Sequence, residues 1–437
     1  MKRERTTSSH AAGRSILNPQ HDRETPAGLS TPIPTQRTDR KSDKYDSVAA
    51  FLRDRTFSQW LLLLYPVFIY VVHRRRGLNA VAEIDISSML QIGLTVVCGL
   101  YVVHRWIVSG SILRWILTGT SMVWLVLYGL LAVSSSVWSG MPELTLFRGI
   151  QVLVYLVLTA DALATLGNVK NLIRFQLCYA VILSLFWQCS LLQYNFSVAG
   201  LHSSQVPGAI VGIAFTGWII AGSQWRATYL FVMVMMLSGS SAATYVSLIV
   251  GLGVAVGTSR RNRTEGILLL SLGIILAFAY PERTKEIVFY GKSDSNIQTA
   301  SGRLPTWQWL IQKQMQERPL LGFGFAYGES QARLYNKGGL RMQHMHSSVM
   351  SALVNLGIVG AILLLLYWLS VWRDLLRVNS SLLRSVVLAS VAAVCLNSLA
   401  IDSVTSPMGF GWIGHLLTMG TAVYAKASSE PVFFGKS

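Results

Sequence analysis

Arg303, His344 and His346 fall inside the longest polar interruption of a strongly apolar chain, residues 281–346, and that segment carries nine Lys/Arg against five Asp/Glu. A cation excess of this kind suits an anionic ligand. Arg303 sits just before Pro305, Trp307, Leu310, Ile311 and Met315, which are spaced as one face of an amphipathic helix, with Gln312, Lys313, Gln316 and Glu317 on its wet side. A guanidinium beside the amide donors of a helix start is an anion-binding arrangement. Trp307 and Trp309 suit a helix lying at a membrane interface, and a helix that merely packs on its neighbours fits the spacing equally. His346 stands where the next apolar run begins, and reads either as a polar cap or as a group that handles a proton. Neither His344 nor His346 has an acidic or cysteine neighbour at ligand spacing, so no metal and no other cofactor is expected.

The elements that must position these residues are membrane helices. Hydrophobic residues make up 52% of the 437 against 13% charged, too apolar for a protein with an ordinary polar skin. Apolar runs near the length needed to cross a bilayer recur at 58–73, 88–104, 114–134, 146–166, 173–192, 207–222, 227–240, 241–257, 266–280, 347–371, 383–401 and 408–425. The fold class expected is therefore all-α integral membrane, with about 12 transmembrane helices and one large outer loop. Residues 1–56 read as a disordered basic cytoplasmic tail with eleven Lys/Arg against seven Asp/Glu, followed by helices 1–9 over 57–280, the loop over 281–346, helices 10–12 over 347–426 and a cytoplasmic tail over 427–437. This topology puts His104, Arg105, Lys170, Arg174, Arg226, Arg260 and Arg373 in inner loops, as the positive-inside rule requires, while His73 to Arg76 is an exception on the outer side. Asp161 and Asp402 lie near span ends, where hydration is cheap. Cys98, Cys178, Cys189 and Cys395 all fall in apolar runs and read as small buried hydrophobes. The net charge of +17 is dispersed over loops and tail without a groove-reading motif, so no nucleic-acid partner is expected.

Four blocks carry a family resemblance. Ser301, Gly302, Arg303 and Trp307 are similar to a Gly-Arg-Thr-x-x-Trp element; Arg318, Pro319, Leu320, Leu321, Gly322, Phe323 and Gly324 follow as a turn. His346 and Ser347, nine residues, Gly357, two residues and Gly360 form the third block, and Trp138, Ser139, Pro142, Glu143, Thr145 and Arg148 the fourth. Together they resemble the bacterial O-antigen ligase and polymerase superfamily, the first block being closest to exopolysaccharide polymerases.

The resemblance implies a GT-C-like fold in the bacterial inner membrane, with the large loop periplasmic and both termini cytoplasmic. It implies transfer of a glycan from an undecaprenyl-diphosphate carrier to an acceptor glycan, without metal or nucleotide, in company with flippase and chain-length-regulator proteins. Carried over, Arg303 binds the carrier diphosphate and His346 orients or deprotonates the acceptor hydroxyl. Both roles suit the side chains, since a guanidinium grips and stabilises a departing diphosphate and an imidazole can take the proton of a sugar hydroxyl. Arg148, His344, His202 and Arg341 stand as substrate-binding candidates. The sequence departs from the family between Asn195 and Gly208 and again at Ser238 to Ala243, where basic residues usual in the family are missing and His202 or Arg148 would have to substitute. Polymerase leads, ligase follows, and a lipid-linked-sugar transporter is the competing class, although the chain shows no inverted repeat or midplane ionisable pair. A non-catalytic assembly scaffold is the third reading, under which Arg303 and His346 would be dispensable.

Overall fold

In a computed structural model the described residues are 52–75, 86–109, 121–166, 169–193, single positions between 246 and 280, 303–331, 345–378, 381–400 and 410–429, all within one compact unit. Ten α-helices are defined among them: α1 Phe57–Arg75, α2 Ile86–Ser109, α3 Met122–Ser134, α4 Pro142–Ala164, α5 Val169–Gln193, α6 Arg303–Glu317, α7 Tyr327–Gln331, α8 Ser348–Leu376, α9 Ser381–Ala400 and α10 Phe410–Ser429. No strand occurs among the described residues. Spans expected at 207–222 and 227–240, like residues 1–51, lie outside them.

Three of these helices are long and apolar enough to cross a membrane, over Ser88–Val108, Pro142–Ala164 and Ser348–Leu376, and five more carry shorter apolar stretches. Their outward faces are greasy: Leu100, Trp106 and Ile107 on α2 and Ile362, Leu365 and Leu369 on α8 are exposed. Water would not tolerate so much contiguous apolar surface, whereas lipid does. The chain is an all-α membrane protein. Lipid supplies no hydrophobic drive between helices, so close packing does more of the joining. Gly149 of α4 lies against the backbone of Val133 in α3, where an added Cβ would come within 2.7 Å of the amide nitrogen.

Several boundaries move from their expected places. Pro142 occupies the first turn of α4, with Glu143 beside it near the positive helix end, so the helix starts four residues before 146. α1 runs on through His73 and Arg74 to Arg75. α2 continues to Ser109, so His104 and Arg105 are helical rather than in an inner loop. The reason is on α4: Asp161 is buried instead of hydrated, and Arg105 Nε and Nη2 both donate to its Oδ1 at 3.1 and 3.0 Å while the Tyr101 hydroxyl donates to Oδ2 at 2.8 Å. A buried carboxylate needs such partners, and they lie one helical turn apart on α2. Cys98 and Cys178 are buried thiols and Cys395 is half-buried.

α8 is broken. Gly357 sits inside it at φ 67° and ψ −162°, and the two helical bonds that should join Ile358 to Val354 and Val359 to Asn355 are replaced. The amides of Ile358 and Val359 donate to Pro319 O and Leu320 O at 3.0 and 3.2 Å, and the carbonyls of Val354 and Asn355 accept from Phe323 and Gly324 at 3.0 and 2.9 Å. The turn after α6 thus fills the gap and satisfies these two amides and two carbonyls. Gly322 and Gly357 meet backbone to backbone, and a Cβ on Gly357 would collide with Leu320 O.

Candidate active site

The turn at 318–325 is also bolted to the segment before α4. Trp138 Nε1 donates to Leu321 O at 3.2 Å and Arg318 Nη1 to Trp138 O at 2.6 Å. Thr145 Oγ1 donates to Phe325 O at 2.7 Å, the Phe325 amide donates to Ser135 Oγ at 2.9 Å, and Ser139 Oγ lies 2.6 Å from Thr145 Oγ1. A side chain at Gly324 would collide with Ser139. Trp138, Ser139, Thr145, Arg318, Gly322, Gly324 and Gly357 are therefore joints of one framework that gathers three of the motif blocks at one end of the bundle.

α6 is laid over this framework. Its buried stripe runs through Thr306, Leu310 and Gln314, at the i, i+4 spacing of a single helix face. Met315, expected on that face, is exposed, because Gln314 takes the buried position by donating from Nε2 to Leu353 O at 2.6 Å. Lys313 is not on a wet side either: its ammonium donates to Gln331 Oε1 at 2.9 Å and stands 5.3 and 5.7 Å from the ring centres of Trp309 and Phe323. A small core of Leu310, Phe323, Met345, Met350 and Val354 lies beneath the helix. Gln314, Lys313 and Asn355, whose buried main-chain carbonyl holds Gly324, had no signal in the sequence beyond their places beside apolar residues.

The same packing sets His346. Its neighbours Met345 and Ser347 are both buried, while His346 is half-buried and its backbone takes φ 51°. The cap of α8 is Ser347, whose Oγ accepts from the Met350 amide at 3.4 Å, so capping does not explain the histidine. On α6, Trp307 Nε1 donates to Met345 O at 2.9 Å. Arg303 is one helical turn earlier on that face, about 6 Å along the axis. Arg303, the first described residue of α6, thus stands one turn before the indole that holds the residue preceding His346 and the start of α8. Burial pulls the Arg303 guanidinium below its ordinary pKa, because desolvation disfavours its charged form.

Arg148 is differently engaged. Its Nη1 donates to Gln151 Oε1 at 2.8 Å, and Gln151 Nε2 donates to Thr95 Oγ1 at 3.0 Å, a chain leading from α4 toward α2. His202, Arg341 and His344 lie outside the described residues, as do Asp402, Asn195 to Gly208 and Ser238 to Ala243.

Residues 227–365 match the family model described as O-antigen ligase. Over this stretch the chain is O-antigen ligase-like. The match includes Arg303, the turn at 318–325 and the broken start of α8, and it supports a membrane enzyme of the ligase and polymerase type, with lipid-linked glycan and acceptor substrates. The Trp138 to Arg148 block falls before it and joins it through the hydrogen bonds to 318–325. No curated protein matches the chain closely enough to count as a relative.

Proposed function

We propose that the O-antigen ligase-like chain is a polysaccharide polymerase, transferring a glycan repeat from an undecaprenyl-diphosphate carrier to an acceptor glycan at the periplasmic face of the bacterial inner membrane. The observation that carries this reading is the Trp307 to Met345 hydrogen bond, which ties the α6 turn after Arg303 to the residue before His346. In the reaction the acceptor oxygen forms a bond to the anomeric carbon as the bond from that carbon to the diphosphate breaks. Arg303 takes up the charge growing on the departing diphosphate, the part a metal plays elsewhere, and His346 receives the acceptor's proton. Arg148, His202, His344 and Arg341 complete the proposed substrate contacts. A GT-C-like fold of twelve spans with both termini cytoplasmic goes with this assignment, as does cooperation with flippase and chain-length-regulator proteins.

The test is surface polysaccharide size in a deletion strain complemented with wild type, Arg303→Ala or His346→Ala, with membrane levels checked by blotting. Loss of either side chain should slow transfer by about 100-fold or more and leave short lipid-linked repeats. Ligase activity is the second reading, favoured by the description of the matched family. It predicts full-length polymer left on the carrier instead. Full-length, attached polymer from both variants would overturn the catalytic assignment.

A further inference from the structure

The exposed apolar stripe of α4 does not end where the helix ends. Ile150 and Leu146 are exposed on the helix, Met141 continues the stripe just before Pro142, and Val137 beyond it is 87% exposed. Beside them, across the Trp138 clasp, stand Leu321 and Leu320, the latter 62% exposed. Met141, Leu320 and Leu321 are loop residues and Val137 ends the single 3-10 turn Ser135–Val137, places where a water-facing surface would ordinarily be polar.

Their backbone is the second observation. Between 318 and 325 the amides of Arg318, Gly322, Phe323, Gly324 and Phe325 all donate within the protein. The carbonyls of Arg318, Pro319, Leu320, Leu321, Gly324 and Phe325 all accept within it. Trp138 donates its amide to Ser135 O and accepts from Arg318, and the Met141 amide donates to Ser139 Oγ. Irregular backbone survives at membrane depth only when protein satisfies its polar groups. A loop whose backbone is so largely bonded within the protein and whose tips are bare aliphatic side chains is suited to the acyl boundary of a bilayer.

We infer that the apolar tips of this lip, Val137, Met141, Leu320 and Leu321, are seated in the bilayer with the Arg318 guanidinium at its polar boundary, and that their partner is the hydrocarbon chains of lipid. The lip carries on its far side the turn that fills the break in α8, so its seating fixes the depth at which the α6 and α8 ends meet the membrane. The inference does not depend on glycan transfer.

Spin labels placed by Val137→Cys and Leu320→Cys, with the four native cysteines replaced by alanine, test it in lipid nanodiscs through collision with oxygen and with a water-soluble nickel chelate. Leu365→Cys on the apolar face of α8 gives the lipid reference and Gln312→Cys on the exposed face of α6 the polar one. Both lip labels should favour oxygen over nickel as Leu365 does. A nickel preference at either site, or shielding from both reagents by a protein partner, would overturn the inference. Met141→Cys and Leu321→Cys read the same lip if a first-choice variant does not accumulate.

Discussion

His346 holds its backbone at φ 51°, in the left-handed region where a residue with a Cβ is strained by about 1 kcal/mol or more. A residue kept there for stability alone would be better replaced by glycine. His346→Gly should therefore raise stability by about 1 kcal/mol in detergent unfolding while abolishing transfer, and His346→Asn, which tolerates the same backbone, should lose transfer at near-unchanged stability. A destabilised glycine variant would show that the imidazole's contacts outweigh the strain. Ser347→Ala separates the neighbour's role. It removes the cap on α8 and should cost about 1 kcal/mol, with transfer reduced rather than lost, because the imidazole remains.

At the scale of elements, the join between the broken α8 and the turn after α6 depends on two glycines. Gly357→Ala forces a side chain into a backbone conformation open essentially to glycine alone and against Leu320 O, so it should cost about 3 kcal/mol or more. Gly322→Ala, whose Cβ would meet the backbone of Asn355 and Gly357 at 2.6 Å, should behave alike. Gly93→Ala on α2, with nothing within 4 Å, should be neutral or mildly stabilising. Thermal unfolding in detergent compares the three, and equal melting temperatures would show that the break does not hold the region together. The sequence carried the spacing of His346, Gly357 and Gly360 and a helix opening near Pro305 just after Arg303, since both are local patterns; the helix takes in Arg303 as well. It could not show that Gly357 opens a helix, because the groups that refill it belong to residues 319–324. Met315 was misplaced for the same reason: periodicity ranks residues by hydrophobicity, whereas Gln314 is buried by a carbonyl 39 positions away.

Across the whole molecule, the polar framework that gathers the motif blocks meets α4 at its start, whereas Asp161 lies near its end. There Arg105 and Tyr101 tie α2 to α4 through a carboxylate that hydropathy alone had assigned to water. Asp161→Ala removes the hydrogen bonds that join α2 to α4 but leaves a guanidinium that is only part-buried, so it should destabilise the protein by about 2 kcal/mol. Asp161→Asn keeps an acceptor for Tyr101 and should cost less. A matched apolar pair, Arg105→Met with Asp161→Leu, should regain much of the loss, since neither charge then remains to be buried. The effect should appear in detergent unfolding and in membrane abundance, while polymer length per molecule of accumulated protein stays normal, because the pair lies at the opposite end of α4 from the Thr145 joint. A variant that accumulates normally but makes short polymer would place Asp161 in the reaction or in the path of its substrate, and the division between a joining end and a reacting end of the bundle would have to be abandoned.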